Sequence, residues 1–176
     1  MTEADYQEVQ RFLQIGLEKP NLIESVEDEL SAYMGRSSLM CSSGTAGLHL
    51  SLMALNIGPG DEVLVPDLTF AATWNAVAYT GATPVFCDIN SETWCIDVSD
   101  AERKITNRTK AIITVDLYGN PCDYENLQKL TARTGLKLIV DAAESLGSKF
   151  QGKNAAQYGD IAVTSFNTNK IVTGFG

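Results

Sequence analysis

At 176 residues the chain is long enough to close one domain around a core. Apolar residues make up 44% of it and charged residues 20%, the balance of an ordinary globular protein rather than a disordered or membrane-embedded one. A net charge of -9 argues against a general nucleic-acid or anionic-membrane surface, which needs clustered Lys and Arg, but leaves local anion binding by backbone N–H groups open.

No apolar run is long enough to span a bilayer. The start, Met1-Thr2-Glu3-Ala4-Asp5, is acidic and lacks the basic and apolar regions of a signal peptide, so a cytoplasmic location is expected. Cys41, Cys87, Cys95 and Cys122 show no CxxC pairing and no metal-ligand spacing. They read as reduced thiols used as small apolar residues.

In chain order, Glu8 to Gly35 reads as helical. Ser25-Val26-Glu27-Asp28 resembles a capping box, Val26, Leu30 and Tyr33 form a stripe, and Gly35 is a stop. The polar turn Ser42-Ser43-Gly44-Thr45-Ala46 then opens a helix with Leu48, Leu52 and Leu55 on one face. Gly58-Pro59-Gly60-Asp61 is a turn and Glu62 to Val65 a buried strand. Thr69 to Tyr79 reads as a helix ended near Gly81, and Pro84 to Cys87 as a strand. Ser99 to Ile105 is a short helix capped by Ser99, Ala111 to Val115 a strand, and Tyr118 to Pro121 a turn. Asp123 to Thr134 is a helix stopped by Gly135, and Leu136 to Val140 an apolar strand ending at Asp141. Phe150 to Asn154 is a hairpin turn, and Ile161 to Ser165 the last strand. Strands that are continuous apolar runs, alternating with helices, predict an α/β fold: a three-layer α/β/α sandwich with a mostly parallel sheet. Ligands of such sheets sit at the carboxyl ends of the strands.

Four features gather at those ends. Lys170 follows the last strand amid hydroxyls and amides, in Thr164-Ser165-Phe166-Asn167-Thr168-Asn169-Lys170. Asp141 ends a buried strand, either as the N-cap of Ala142-Ala143-Glu144 or as a charge partner for a protonated ring nitrogen. The Ser43-to-Ala46 turn opens a helix, either as a simple N-cap by Ser43 or as a phosphate cradle of free N–H groups. Phe70, one residue into a predicted helix, is core or a stacking surface for a ring. Trp74 is core or rim, and His49, the single histidine, reads as packing or surface without a triad around it. The turn is neither a P-loop nor a GxGxxG. Taken together, a phosphate cradle, a stacking aromatic, a carboxylate for a ring nitrogen and a lysine for an aldehyde describe one ligand, pyridoxal 5′-phosphate (PLP).

These residues carry a resemblance. The motifs Ser42 to Ala46, Gly58 to Val63, Pro66 to Asn75, Gly81 to Phe86, Asp141 to Ser148 and Ser165 to Lys170 occur in the order found in the DegT/DnrJ/EryC1/StrS aminotransferases. The chain resembles that family of PLP enzymes, which act on nucleotide-linked keto sugars. The resemblance implies a fold-type I PLP-transferase large domain. It implies that Lys170 is the Schiff-base lysine and proton shuttle, and that Asp141 pairs with the pyridinium nitrogen. Gly44, Thr45 and Ser165 would hold the phosphate, Phe70 would stack on the ring, and Glu144 would lie near the ring oxygen. Asn169 would face a partner subunit in a homodimer, and glutamate would be the usual amino donor. A sugar dehydratase of the same fold is disfavoured, because such relatives replace the lysine.

Two departures accompany the resemblance. Many relatives carry a histidine where this chain has Asp116, before Leu117-Tyr118-Gly119. Relatives also continue well past the lysine into a glycine-rich run and a small C-terminal domain, whereas this sequence stops at Gly176. Residues 1–176 are therefore expected to be the N-terminal part of one incomplete large domain. An isolated chain of this length is expected to be poorly stable and weakly active. The alternative to a working aminotransferase is an inactive fragment that serves at most as a PLP-binding or dimerising module.

Overall fold

The computed structural model describes residues 2–4, 6, 7, 10, 11, 14 and 21–174. The chain forms two compact units, Met1–Met40 and Cys41–Gly176. In the first, helix α1 spans Leu22–Met34. Much of the predicted stretch before it, residues 8, 9, 12, 13 and 15–20, lies outside the described residues. Asn21, not Ser25, takes the N-cap position, and Ser25 donates its N–H to the Asn21 carbonyl within the first turn. No side-chain cap forms; Glu27 instead accepts the Met40 N–H at 2.7 Å. The apolar stripe runs through Val26, Leu30 and the buried Met34, while Tyr33 is 61% exposed. Gly35 closes the helix in the left-handed conformation, as predicted.

In the second unit the strands are β1 (Glu62–Pro66), β2 (Thr83–Cys87), β3 (Thr109–Val115), β4 (Lys137–Asp141), β5 (Lys149–Phe150), β6 (Lys153–Asn154) and β7 (Ile161–Val163). Five of them form a parallel sheet in the order β2-β1-β3-β4-β7, and β5-β6 is a separate antiparallel hairpin. The helices are α2 (Gly44–Ala54), α3 (Ala72–Tyr79), α4 (Val98–Arg103) and α5 (Tyr124–Thr134).

Chain order and handedness explain the layers. The crossover from β1 through α3 to β2 runs one way along the sheet, and that from β3 through α5 to β4 runs the other. Right-handed crossovers in opposite directions put their helices on opposite faces. One face packs Leu48 and Leu52 of α2 and Ala76 and Val77 of α3 onto Val63, Val65, Ile113, Ile139 and Val163. The alternate strand residues, Leu64, Ile112, Leu138 and Val140, are equally buried and point to the other face, where α5 packs on β4. Reversal of direction between β1 and β3 makes the carboxyl ends of these two strands the topological switch point, the place where ligands bind in open α/β sheets.

Several boundaries differ from the sequence reading. The helix predicted from Thr69 begins at Ala72, so Phe70 lies outside it, just after the bend at residues 67–69. Asp97 rather than Ser99 caps α4, accepting the N–H groups of Ser99 and Asp100 at 2.7 and 3.2 Å. Asp141 is not a helix cap, because Ala142 to Gly147 forms turns; its Oδ1 accepts the Ala143 N–H at 3.2 Å. Cys87, Cys95 and Cys122 are buried free thiols, but Cys41 is exposed. His49 packs edge-on against Tyr79, with ring centroids 5.9 Å apart.

Candidate functional site

The carboxyl ends of β1, β3, β4 and β7 bring the predicted site residues into one region. The cradle comes first. Ser43 accepts the Ala46 N–H at 3.1 Å, which caps α2, a helix with no acidic residue in its first turn. That leaves the positive end of the helix dipole uncancelled locally. Gly44 faces the chain after β7 closely: a Cβ there would lie 3.3 Å from Ser165 Cβ and 3.5 Å from its Oγ. The first turn of α2 and Ser165 thus share one small space that a side chain at position 44 would fill. Thr45, next to Gly44 and half-buried, begins the same turn. Gly47, one turn on, sits so close to Val163 that a Cβ would meet its Cγ1 at 2.8 Å. Two glycines therefore let α2 lie hard against the β7 edge.

Asp141 closes β4, opposite Val115 in register. It is buried, and Thr73 donates to its Oδ2 at 2.9 Å. Thr73 Oγ1 is also 2.8 Å from Thr69 Oγ1, so a hydroxyl pair ties the start of α3 to the end of β4 across the switch point. Burial pushes the Asp141 carboxyl up to about 6, against the lowering effects of the Thr73 hydroxyl, the Ala143 N–H and the Lys170 charge. A buried carboxyl raised in this way gains from a further cation or hydrogen-bond donor brought close to it.

Lys170 follows β7 by seven residues and turns back, its N–H donating to the Asn167 carbonyl at 2.9 Å. Its side chain is only 13% exposed, and Nζ donates to Glu144 Oε1 at 3.3 Å. Glu144 spends its other oxygen on the Tyr118 N–H at 2.8 Å. One carboxylate therefore links the lysine to the turn after β3. Phe70 is 74% exposed, three residues before Thr73, whose N–H donates to the Phe70 carbonyl. The Thr73–Asp141 bond so fixes the segment that carries Phe70 relative to the carboxylate. Asn169 is exposed.

Two participants, Thr73 and Ser145, escaped the sequence reading, and a third, Asp116, stood out there only as a departure from the resemblance. Thr73 carried only the faint signal of a hydroxyl four residues after Thr69. Asp116 is fully buried, accepting the Tyr124 hydroxyl at 2.6 Å, the Cys122 N–H at 3.0 Å and the Ser145 hydroxyl at 2.8 Å. Ser145 had no signal beyond its neighbours. Among the described residues no group of three or more His, Cys, Asp or Glu side chains is placed to hold a metal ion, and no helix is long and apolar enough to cross a membrane.

Comparison with known proteins places this geometry. The chain is 54% identical over 132 residues to a GDP-perosamine synthase of Escherichia coli O157:H7, covering 75% of this chain and 36% of that protein. It is 47% identical over 130 residues to a UDP-N-acetyl-3-dehydro-alpha-D-glucosamine 3-aminotransferase of Acidithiobacillus ferrooxidans, covering 74% and 35%. The chain thus spans little more than a third of the length of these curated relatives. Among solved structures, an aminotransferase from Psychrobacter cryohalolentis superposes with a TM-score of 0.93 at 32% identity, over all of this chain and 46% of that one. NtdA from Bacillus subtilis, with bound cofactor PMP, superposes at 0.90 and 35% identity over 98% and 40%. Both superpositions take in nearly the whole chain with its mostly parallel sheet, so the predicted fold class holds. The sequence model of the DegT/DnrJ/EryC1/StrS aminotransferase family matches residues 1–176, and the chain belongs to that family.

Proposed function

We propose that this chain is the N-terminal part of the large domain of a PLP-dependent aminotransferase. The whole protein would move an amino group, from glutamate, to a nucleotide-linked keto sugar. It would act in the cytoplasm as a homodimer, with Asn169 towards the partner subunit. The observation that carries the reading is the pairing of a nearly buried Lys170, held at 3.3 Å by Glu144, with a buried Asp141 whose charge it partly balances. The donor set fits the cofactor. Gly44 leaves beside Ser165 a space that a Cβ would fill, at the positive end of α2, which suits a phosphate. A buried carboxyl held at about 6 gains a strong partner from a protonated ring nitrogen.

Bound there, the cofactor would supply an aldehyde that exchanges amino groups and a ring that takes up electrons. The remaining work falls to the chain. Gly44, Thr45 and Ser165 hold the phosphate, and Asp141, steadied by Thr73, keeps the ring nitrogen protonated. The exposed Phe70 would offer its ring as a stacking surface for the cofactor. Lys170 would be the residue that takes up the aldehyde, and its Nζ would accept and return a proton. Glu144 keeps that nitrogen in place, accepts the Tyr118 N–H on its second oxygen, and would lie on the side of the cofactor's ring oxygen. The relatives named for GDP- and UDP-linked sugars support the substrate class.

The test is a single-turnover half-reaction. The whole protein is loaded with PLP, freed of excess and incubated with glutamate, and pyridoxamine phosphate and 2-oxoglutarate are quantified by chromatography. Matched formation of both is expected. PLP captured at Lys170 but left unchanged by glutamate and by other amino acids would overturn the transaminase reading.

A further inference from the structure

The geometry points to Asp116 as a positioning residue: we propose that it clamps the turn carrying Glu144 and sets a second buried carboxyl behind Asp141. The inference rests on reading Asp141 and Glu144 as cofactor-facing groups. Asp116 directly follows β3, whose last residue, Val115, is in register with Asp141. Its N–H donates to the Asp141 carbonyl at 3.2 Å, so the two acids end adjacent strands.

The Asp116 side chain reaches three elements. Oδ1 accepts the Tyr124 hydroxyl from α5 and the Cys122 N–H from the loop before it; Oδ2 accepts the Ser145 hydroxyl. Ser145 follows Glu144 directly. Its N–H donates to the Ala142 carbonyl at 3.1 Å, so pinning Ser145 pins the whole turn between Asp141 and Glu144. The Asp116 carbonyl also accepts the Gly119 N–H at 3.0 Å, which shapes the turn that offers the Tyr118 N–H to Glu144. Both ends of the Glu144 carboxylate's surroundings thus hang on one residue. A structural plug would need no charge. Here burial raises the Asp116 carboxyl while its three donors favour the charged form, and its charge in turn raises Asp141.

The ionisable groups around this pair are Lys170 and Glu144 on the ligand side, and Tyr124, Cys122 and Cys95 behind. The hydrogen bond with Cys95, then burial, push the Cys122 thiol up, and burial, then the Asp116 charge, push the Tyr124 hydroxyl up, so neither ionises near neutral pH.

The test starts without cofactor. The carboxyl carbons of the chain, labelled with carbon-13 at aspartate, are titrated by NMR from pH 3.5 to 8. Wild type, D116N and S145A are compared, with Asp141 assigned through D141N. D116N is expected to lower the Asp141 midpoint measurably, since it removes a neighbouring like charge. S145A keeps that charge and should leave the midpoint in place. It should instead speed hydrogen exchange at the Tyr118 N–H and weaken PLP retention several-fold. Should D116N not fold, Y124F takes its place: losing one donor makes Asp116 easier to protonate and lowers the Asp141 midpoint by less. An Asp141 midpoint unmoved in these variants, or an S145A chain with wild-type Tyr118 exchange, overturns the proposal. If wild type itself fails to hold PLP, the cofactor reading falls instead, while the NMR arm still decides the role of Asp116.

Discussion

Replacing Asp141 with asparagine should make the cofactor-free chain more stable while removing its grip on PLP. The Asp141 carboxyl is buried and held at about 6. An unfolded aspartate titrates near 3.9. Between roughly pH 4 and 6 the folded chain therefore keeps a proton that the unfolded chain has lost. This raised group contributes stability that is fully present below about pH 4 and is lost as pH rises through about 6. Two units correspond to about 3 kcal/mol above pH 7, at about 1.4 kcal/mol each. Asparagine has no such proton. It keeps an oxygen for the Ala143 N–H, and its amide can donate to the Thr73 oxygen, so both contacts survive in altered form. Lys170 loses a distant counter-charge but keeps Glu144. A net gain of about 2 kcal/mol remains at pH 8, equivalent to roughly 4–8 °C in Tm for a chain of this size. The assay is thermal unfolding of cofactor-free wild type and D141N from pH 4 to 8, beside equilibrium dialysis with PLP. The Tm difference should be near zero at pH 4 and grow to a plateau above pH 7, with PLP affinity falling at least tenfold. A pH-independent difference, or a D141N chain less stable than wild type at pH 8, would refute the reasoning.

Two further substitutions probe the frame around the site. Thr73→Val removes the hydroxyl that donates to Asp141 at nearly constant volume. It should cost about 1–3 kcal/mol at pH 8, and less near pH 5 where the carboxyl is protonated, as read by urea unfolding at the two pH values. An equal loss at both would deny that the bond serves the charged form. Gly159→Ala places a Cβ 2.8 Å from the Leu138 carbonyl oxygen and 2.9 Å from that of Ile161, both backbone atoms that cannot swing aside. It should part β4 from β7 and destabilise by about 2 kcal/mol or more, with early loss of protection at the Ala142 N–H, which bonds the Val163 carbonyl. Wild-type Tm in this variant would show that the strand pair yields at little cost.

The parallel sheet was legible because its central strands are uninterrupted apolar runs. Val63 to Val65, Ala111 to Ile113 and Leu138 to Val140 are buried on both faces, and that pattern belongs to strands covered by helices on both sides. Glycine stops were legible for the same local reason: Gly35 and Gly135 adopt left-handed conformations that end helices. Starts were harder. Thr69 looked like the first residue of a helix, but its hydroxyl pairs with Thr73 and the regular helix begins only at Ala72. Asp97, two residues earlier than Ser99, reaches two N–H groups of the first turn of α4 and so takes the cap. Asp141 and Lys170 were singled out because the chemistry of one ligand calls for their types together, and Glu144 through the family resemblance alone. Thr73 and Ser145 were not, because each serves the site through a partner far along the chain: Asp141 is 68 residues from Thr73, and Asp116 is 29 from Ser145. Periodicity and capping rules see only a few residues, and such bonds appear once the sheet has set its neighbours.

Lys170 carries the functional reading, and its reaction can be read residue by residue. The chain is incubated with PLP, reduced with borohydride, digested and mapped by mass spectrometry. A pyridoxyl adduct is expected on Lys170 and its yield should collapse in Lys170→Ala. An adduct spread over surface lysines such as Lys129 and Lys137, with Lys170 unmodified, would contradict it.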